Sequence, residues 1–210
     1  MKQKDKLILK LINQYCKGRD VKVIDIGARD KVFREKLPKN AVYTSLDVDK
    51  KFKPDIVGDI SKKLHIKSRT YDFLICSEVL EHIVYPRETI KELKRILKDD
   101  GMMIITLPNE YNLNLRLQFL FGVQKGCEAP FREKFWMNHI HRPRVIDAIN
   151  FFKDYFKLKQ VLYSWDSDKG GLSFIIDPIV RTIFMPVSKN LFTTSVIMIG
   201  TKKILNLKKY

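Results

Sequence analysis

The chain alternates between short, nearly continuous apolar runs and longer segments in which apolar residues recur at helical spacing. A strand that is buried on both faces of a parallel sheet reads as a continuous apolar run, because neither face meets water. Turns rich in glycine, proline, asparagine and aspartate separate the runs. The pattern predicts strands at residues 21–26, 43–47, 56–60, 71–76, 102–107, 158–165 and 195–202.

Apolar residues spaced three and four apart predict helices between these strands. Pro86 suits the first turn of a helix, where its missing N–H would have no partner, and Ile90, Leu93 and Leu97 then share one face. We expect this helix to stop at the Asp-Asp-Gly sequence of residues 99–101. Further helical segments are predicted at residues 5–16, 30–37 and 144–156.

Residues 111–121 fit two patterns. Leu113, Leu115 and Leu117 alternate with polar residues as they would in a strand, yet Leu113, Leu117 and Leu120 also lie on one face of a helix. The segment is long and follows a Pro-Asn turn, which favours the helix.

Strands that alternate with helices predict an α/β fold with a doubly wound, Rossmann-like sheet of seven strands. We expect a mostly parallel sheet in which the last strand is antiparallel and pairs with the strand before it. A length of 210 residues without repeats or low-complexity linkers suits a single domain over residues 1–210. Two insertions, near residues 110–142 and 167–194, are expected to extend over one edge of the sheet.

The composition is that of an ordinary globular domain, with 45% hydrophobic and 30% charged residues. The 40 Lys and Arg residues against 24 Asp and Glu give a formal net charge of +16. Such a charge indicates either a solvated, lysine-rich surface or an anionic partner: a nucleic acid, a phosphate-bearing small molecule or an acidic membrane surface. Charge alone does not choose between them.

Three widely separated cysteines, Cys16, Cys76 and Cys127, do not suggest a disulfide framework and suit a reducing compartment. No targeting segment is evident. Residues 172–200, the most apolar region, are interrupted by charged residues and prolines, which disfavours a membrane-spanning helix. We therefore expect a cytoplasmic protein.

The most informative segment is Val-Ile-Asp-Ile-Gly-Ala-Arg-Asp at residues 23–30. A strand that carries Asp25 leads into a turn at Gly27, and the next strand ends in a second acid, Asp47. This order is half of a nucleotide-binding α/β unit, in which the second acid can accept both hydrogen bonds of a ribose diol. The turn lacks G-x-G-x-x-G, so a nucleoside without phosphates fits better than a dinucleotide, and S-adenosylmethionine is the usual such ligand.

In this order and spacing, the motifs resemble those of the class I S-adenosylmethionine-dependent methyltransferases, in particular the type 11 and type 23 groups. Residues 107–122 and 138–141 are also similar, more weakly, to the methionine-biosynthesis W-type branch. The resemblance covers residues 20–110 and implies methyl transfer from S-adenosylmethionine. The matching motifs are residues 23–27, Asp47, and residues 58–60, 71–83, 97–101 and 107–109.

The resemblance also implies how the cofactor is held. Three acids would lie at the carboxyl ends of consecutive strands, where open α/β sheets bind ligands. The implied contacts are Asp25, Gly27 and Ala28 at the methionyl part, Asp47 on the ribose, Val48, Asp59 and Ile60 around the adenine, and Ser77 and Glu78 beside the transferring methyl group.

One departure from the family pattern concerns the turn itself. The family usually carries further glycines at the positions that Arg29 and Lys31 hold here. Glycine at such positions permits positive φ and a close approach of backbone to cofactor. Arg29 and Lys31 are therefore expected to give the turn a different conformation, or Arg29 to turn away and pair with an acid.

A hydroxyl acceptor must lose a proton during methyl transfer, and imidazole titrates near neutral pH. His82 is a candidate base beside the cofactor, although capping or packing at the start of its helix is the simpler explanation. His139 and His141 follow the first insertion, and an extended chain would place both on one face, as base or substrate ligand. We expect the base to be His82 or His141.

No metal site is predicted. The spacing and the ligand types of His139 and His141 with Cys127 or Glu128 are unremarkable. Glu78, Glu81 and His82 could also bind a divalent ion, as in some quinone-directed relatives, but we do not expect a metal there.

The aromatic residues of 119–136 and the insertion of 172–192 are expected to build the acceptor pocket. With the net charge, they favour a small-molecule, glycan or lipid-linked acceptor that has an apolar and an anionic part, is methylated at oxygen and is met at a membrane surface. A nucleic acid is a weaker candidate, since no appended RNA-binding module is evident. A methyltransferase-like protein that binds or partners without turnover stays open, because the glycine turn is altered.

Overall fold

In the computed structural model, residues 1–122, 139–166 and 173–203 are described. Seven strands in these ranges form one sheet in the order β3-β2-β1-β4-β5-β7-β6. The strands are β1 (Val21–Ile26), β2 (Ala41–Asp47), β3 (Ile56–Val57), β4 (Tyr71–Ser77), β5 (Leu97–Pro108), β6 (Phe156–Ser164) and β7 (Ser195–Lys202).

The strand pairing confirms the predicted fold class. β1 pairs in parallel with β2 and β4, β2 with β3, and β4 with β5. β7 is antiparallel to both of its neighbours, β5 and β6. The sheet is therefore mostly parallel, and its order reverses between β1 and β4, where open α/β sheets form a ligand crevice.

Helices pack on both faces of the sheet. In the part of the chain that is described, no helix is long and apolar enough to cross a membrane. The helices are α1 (Gln3–Tyr15), α2 (Pro86–Ile96), α3 (Leu113–Leu120), α4 (Val145–Tyr155), α5 (Ser173–Ile179) and α6 (Met185–Val187), with a π-helical turn at Val180–Phe184 between the last two.

The core has two halves because successive side chains of a strand point to opposite faces of the sheet. Val23 of β1 packs in the cluster that contains Ile8 and Ile12 of α1. Ile24 and Ile26 pack on the other face, in the cluster built from α2 and α4. These clusters fix the register of β1 and hence the position of Asp25 and the turn that follows it.

The prediction of a helix at residues 30–37 is wrong. Only one turn of 3₁₀-helix, Arg34–Lys36, forms there. Lys31 has φ +46°, which interrupts a right-handed helix. Side chains instead anchor this connection: Phe33 is buried in the core, and the guanidinium of Arg34 bonds Ser45 and Asp55.

The boundary between α2 and β5 also differs from the prediction, since α2 ends at Ile96 and β5 begins at Leu97. The carbonyls of Arg95 and Ile96 accept hydrogen bonds from the N–H groups of Arg69 and Thr70, at 2.9 and 2.8 Å. Leu97 is fully buried opposite Tyr71 of β4. Tertiary pairing therefore replaces the last helical turn that periodicity predicted.

Two further segments can be compared with the prediction. The helix preferred over a strand at residues 111–121 is confirmed as α3, whose first turn is capped by Asn112 through a bond from the N–H of Leu115. β3 stops at Val57 instead of residue 60, because the side chain of Asp59 bonds the N–H of Ser61 and starts a turn. Much of the two predicted insertions, residues 123–138 and 167–172, lies outside the described residues.

Candidate active site

The carboxyl ends of β1, β2 and β4 lie side by side and define the predicted cofactor site. Ile26 at the end of β1 is level with Leu46 on one side and Cys76 on the other. The turn after β1 therefore lies between the ends of its two neighbours. This is the edge of the sheet at which the chain reverses its order, and it brings Asp25, Asp47 and Ser77 to one crevice.

Gly27 makes the turn possible. Its φ is +70°, and a Cβ atom there would lie 2.5 Å from Cγ2 of Val79. The N–H groups of Gly27 and Ala28 both bond the carbonyl of Leu46, at 2.8 and 3.2 Å. The turn therefore lies tightly against β2, and glycine is required by both its conformation and its neighbour.

Arg29 and Lys31 adopt the altered turn that the sequence indicated. Lys31 adopts the left-handed backbone conformation, which glycine adopts with less strain than other residues. Its ammonium donates a hydrogen bond to the carbonyl of Lys53. The Arg29 guanidinium lies 5.0 Å from the centre of the Phe52 ring. The bonds from Lys51 and, to a smaller extent, the charge of Arg29 lower the pKa of Asp49.

Asp25 is buried under this turn. The hydroxyl of Tyr43 donates a hydrogen bond of 2.6 Å to its Oδ2 atom. Burial raises the pKa of Asp25 to about 7, and the bond from Tyr43 offsets only part of that effect. The carboxyl of Asp25 therefore changes its charge near neutral pH. A bound cationic ligand would favour the ionised form.

Asp47 and Val48 fit the ribose and adenine of a nucleoside. Oδ1 of the buried Asp47 accepts a bond of 2.8 Å from the N–H of Asp49, and Oδ2 has no partner among the described residues. Val48 next to it is 65% exposed. A buried carboxylate with one oxygen available, beside an exposed apolar side chain, matches a sugar hydroxyl and a base.

The next pair of predicted adenine residues is placed differently. Oδ1 of Asp59 accepts bonds from the N–H and hydroxyl of Ser61, at 2.9 and 2.6 Å. Burial alone would raise the pKa of Asp59, but these bonds and the Lys62 charge lower it. Ile60 is buried in the core with Leu64. Asp59 thus shapes a turn, and its contact with an adenine amino group stays a prediction.

A chain of hydrogen bonds connects the residues that follow β4. The hydroxyl of Ser77 bonds that of Thr106 at 2.9 Å, and Thr106 donates to Oε1 of Glu78 at 3.0 Å. Glu78 has φ +56°, and its Oε1 atom lies 3.2 Å from the ammonium of Lys4. α1 therefore reaches the site through Lys4, a contact that no local sequence signal indicated.

Glu81 lies fully buried just beyond Glu78. Neither of its carboxylate oxygens has a hydrogen-bond partner among the described residues. Burial and the nearby charge of Glu78 raise the pKa of Glu81 well above its usual range. Its backbone carbonyl accepts bonds from the N–H groups of Ile140 and His141, at 2.8 and 3.0 Å, which holds residues 139–141 against the site.

This pairing brings together histidines from two distant segments. The rings of His82 and His139 meet nearly at right angles, with centroids 4.8 Å apart. Nδ1 of His139 is bonded to the carboxylate of Glu110, whose other oxygen lies 3.0 Å from Nε of Arg142. Glu110 was not among the predicted site residues, although, as an acid shortly after β5, it occupies the kind of position that singled out Asp25 and Asp47.

His141 takes a different place from His139. Its Nε2 atom donates a bond of 2.9 Å to the carbonyl of Ile83, so that nitrogen carries the proton. This bond attaches the end of the first insertion to the segment that follows β4. The catalytic role predicted for His141 stays a prediction, and His139 has the partner that a base requires.

Glu81, His82 and His139 are also the described residues most able to hold a divalent ion, since their ligand atoms lie within 4.8 Å of one another. The raised pKa of Glu81 means that a proton competes with any cation for its carboxylate. Cys127 and Glu128, the other conceivable ligands, lie outside the described residues. The expectation of no metal site stays a prediction.

Fold and site together define an α/β protein with an acid-lined crevice that suits a nucleoside cofactor. A family described as a methyltransferase domain matches residues 2–156. The chain therefore belongs to this methyltransferase family, and S-adenosylmethionine is the cofactor that membership gives it.

Individual relatives agree with this assignment. An uncharacterised protein of Methanocaldococcus jannaschii is 32% identical over 109 residues, which are 49% of this chain and 48% of that protein. A ubiquinone biosynthesis O-methyltransferase of Glaesserella parasuis is 31% identical over 70 residues, 33% of this chain and 26% of that enzyme. The matches thus span about half of the first relative and about a quarter of the second.

The fold is also that of solved methyltransferase structures. A putative methyltransferase from Bacillus halodurans superimposes with a TM-score of 0.60 at 13% identity, covering 95% of this chain and 99% of that one. At this identity the likeness concerns the fold alone. The roles of individual site residues rest on the geometry described above.

Proposed function

We propose that the chain transfers the methyl group of S-adenosylmethionine to a hydroxyl oxygen of a small-molecule, glycan or lipid-linked acceptor. The observation that carries this proposal is the bond between Glu110 and His139, beside His82 and close to the cofactor crevice. An amine acceptor can attack in its neutral form, whereas a hydroxyl needs a base to take its proton. A carboxylate-supported imidazole is such a base.

The Glu110 carboxylate sets the tautomer of His139. A carboxylate oxygen accepts, so Nδ1 carries the proton and Nε2 keeps its lone pair. Nε2 would then take the acceptor's proton, and Glu110 would stabilise the imidazolium that results. Arg142 holds Glu110 in place through its second oxygen. His82, a predicted base, packs on His139 and would orient it.

The residues at the ends of β1, β2 and β4 would hold the cofactor. S-adenosylmethionine supplies an electrophilic methyl group together with its own leaving group. Asp47 would accept from the ribose hydroxyls through its unoccupied oxygen, and Val48 would pack on the adenine. Ionised Asp25 and Glu78 would lie near the cationic part of the cofactor. Most of the rate enhancement then comes from alignment of acceptor and methyl group.

Two observations support an oxygen acceptor with an anionic part. One of the curated relatives is a ubiquinone biosynthesis O-methyltransferase, although it matches only 33% of this chain. The net charge of +16 favours anionic partners in general. The carboxylates Glu78, Glu81 and Glu110 make the reacting centre itself acidic, so we expect the anionic part of the acceptor to lie away from the transferring methyl group.

Transfer of tritiated methyl groups to matched hydroxyl and amine acceptors tests the proposal. The panel pairs catechols with anilines, and polyprenyl-linked sugars with their amino-sugar counterparts. We expect label in the hydroxyl members only, and His139→Gln should lower kcat about 10²- to 10⁴-fold while cofactor affinity is kept. His65→Gln, at an exposed histidine remote in sequence from this cluster, is the matched control.

Each part of the proposal has its own contrary result. Label confined to the amines would refute oxygen transfer. An unchanged rate in His139→Gln would refute the base. Cofactor binding without transfer to any acceptor, including those in a cell extract, would favour the non-catalytic partner that the altered turn left open.

A further inference from the structure

The described part of the second insertion contains a helical segment whose apolar face points outward. Ile176, Ile179, Ile183 and Val187 are 46%, 43%, 59% and 79% exposed. Their spacing of three, four and four residues is that of one helix face, and it continues across the π-helical turn at Val180–Phe184. We call these four side chains the outward stripe.

The opposite face of the same helix carries the polar contacts. Asp177 accepts a bond of 3.1 Å from the indole N–H of Trp165, and Arg181 donates to the Trp165 carbonyl at 2.8 and 3.0 Å. Val180 between them is buried. A helix on the surface of a soluble domain normally turns its apolar side to the core and its charges to water. In this helix the apolar side chains face the solvent, and the charged side chains contact the rest of the domain.

A second group of exposed apolar residues belongs to α3. Leu120 and Phe121 are each 74% exposed, and Leu117 and Phe119 are about half exposed. The N–H of Leu113, at the start of α3, bonds the carbonyl of Leu191, just after α6. Both groups therefore extend from one corner of the molecule, at the junction of β5 and β7. Clustered exposure of this kind marks an interaction surface.

The charges of the two segments select an anionic partner. Residues 111–122 contain no acid, and residues 176–194 contain one, Asp177, whose carboxylate is occupied by Trp165 and Arg181. Arg116 and Lys189 supply exposed positive charge. The surface is thus apolar with a basic rim, in a chain of net charge +16.

A groove beside the stripe has the same character. It has a volume of about 330 Å³, lies between α4 and α6, and is lined by Val145, Ile149 and Val187 with Lys189 at its side. Tyr163, Ser188 and Asn190 complete the lining, so the groove offers an apolar wall with polar groups and one cation beside it. Single-stranded nucleic acids bind through aromatic stacking platforms, whereas most of the exposed apolar side chains here are aliphatic, with Phe119 and Phe121 as aromatic members.

We propose that the outward stripe and the end of α3 dock on an anionic lipid bilayer. The aliphatic and Phe side chains enter the boundary between headgroups and acyl chains, and the basic residues contact lipid phosphates. A second copy of the chain is a poorer occupant, because it would set the same basic rim, with Arg116 and Lys189, against itself, and like charges across an interface are unfavourable. This docking is independent of methyl transfer.

Vesicle co-sedimentation tests the docking on the complete chain. Vesicles of phosphatidylcholine with one quarter phosphatidylglycerol are compared with pure phosphatidylcholine, at low and at physiological salt. We expect binding to the anionic vesicles only, weakened by salt. Ile183→Gln should reduce the partition coefficient about tenfold. Val42→Gln, at a valine of similar exposure on β2, is the matched control and should bind as the wild type does.

Other outcomes overturn the proposal in distinguishable ways. No binding to anionic vesicles in either buffer removes the bilayer as partner, and equal losses in Ile183→Gln and Val42→Gln remove the stripe as its site. Self-association that Ile183→Gln abolishes, without vesicle binding, assigns the surface to a second copy. Retention of single-stranded RNA on a filter, again without vesicle binding, assigns it to nucleic acid. Ile176→Gln serves if Ile183→Gln unfolds, which circular dichroism reports.

Discussion

Asp25 links protonation to folding at the scale of one residue. Burial raises the pKa of Asp25 to about 7 in the folded chain, against 3.8 for an unperturbed Asp side chain. A group whose pKa is raised by folding stabilises the folded state fully below its unfolded pKa, and this contribution is lost as the pH rises through the folded pKa. For Asp25 the loss falls between about pH 4 and pH 7.

The variant Asp25→Asn removes this dependence. We expect the wild type to lose on the order of 1–4 kcal/mol of unfolding free energy between pH 5 and pH 8 through this group, and Asp25→Asn to lose correspondingly less. Urea unfolding at the two pH values measures the difference. Asp20→Asn, at an exposed acid, should keep the wild-type slope. An identical slope in Asp25→Asn would show that the carboxyl is ionised throughout.

Asp47 should dominate cofactor affinity through its available oxygen. Loss of a charge-assisted hydrogen bond costs about 1.5–3 kcal/mol, so we expect Asp47→Ala to weaken S-adenosylmethionine binding about ten- to a hundredfold. Calorimetric titration measures the constant. Asp49→Ala is the control, because its carboxylate bonds the N–H and ammonium of Lys51, two residues further along the chain, and is partly exposed. Equal affinities in Asp47→Ala and the wild type would remove Asp47 from the ribose.

The sequence alone located those candidate site residues that lie at the ends of strands. Asp25, Asp47 and Gly27 could be located because each stands at a fixed distance from an apolar run. Lys4 and Arg142 could not, since they reach the site from segments about 70 and 30 residues away from their partners. Pairing across such distances depends on the packed fold, which local patterns do not contain.

At the scale of elements, α1 depends on a cap from a remote part of the chain. Its N-cap residue, Lys2, makes no side-chain cap. Oδ1 of Asp166 instead accepts a bond of 2.6 Å from the N–H of Gln3, and Oδ2 accepts one of 3.2 Å from that of Lys4. A negative charge at this end also interacts favourably with the helix dipole.

Removal of this cap should destabilise the domain. We expect Asp166→Ala to lower the free energy of unfolding by about 0.5–2 kcal/mol, the range for helix N-caps, and Asp166→Asn to lose less because it keeps one acceptor. Denaturant unfolding measures both. Asp154→Ala, near the carboxyl end of α4 and exposed, should change little. If Asp166→Ala and Asp154→Ala are equal, the bonds to α1 contribute nothing.

The boundaries of helices and strands were predicted correctly where the local apolar pattern and the tertiary pairing agree. α3 and α4 occur where periodicity indicated, whereas α2 ends early because Arg69 and Thr70 take the carbonyls of its last turn. The 30–37 segment has helical spacing, yet Lys31 adopts a left-handed conformation. The reversed polarity of the outward stripe was also hidden, since spacing gives an apolar face but not the direction in which that face points.

At the scale of the whole molecule, the doubly wound sheet and its antiparallel last strand could be predicted because strand and helix patterns alternate along the chain. Continuous apolar runs identify strands buried on both faces, and both clusters of the core bear this out. The acceptor side could be predicted only in outline. Its geometry depends on long connections, in which no period constrains the path.

The remote cap of α1 has a consequence for how the protein is made. Gln3 and Asp166 are 163 residues apart, and the apolar face of α1 packs in a cluster that includes Ile197 and Ile199 of β7. During synthesis, α1 leaves the ribosome before every strand that will cover it. Contacts of such long sequence separation form late, because a long loop must close first. α1 is thus made long before the residue that caps it and before β7, so its cap and this part of its cover form late, although Val23 and Phe73 of the same cluster follow it sooner in the chain.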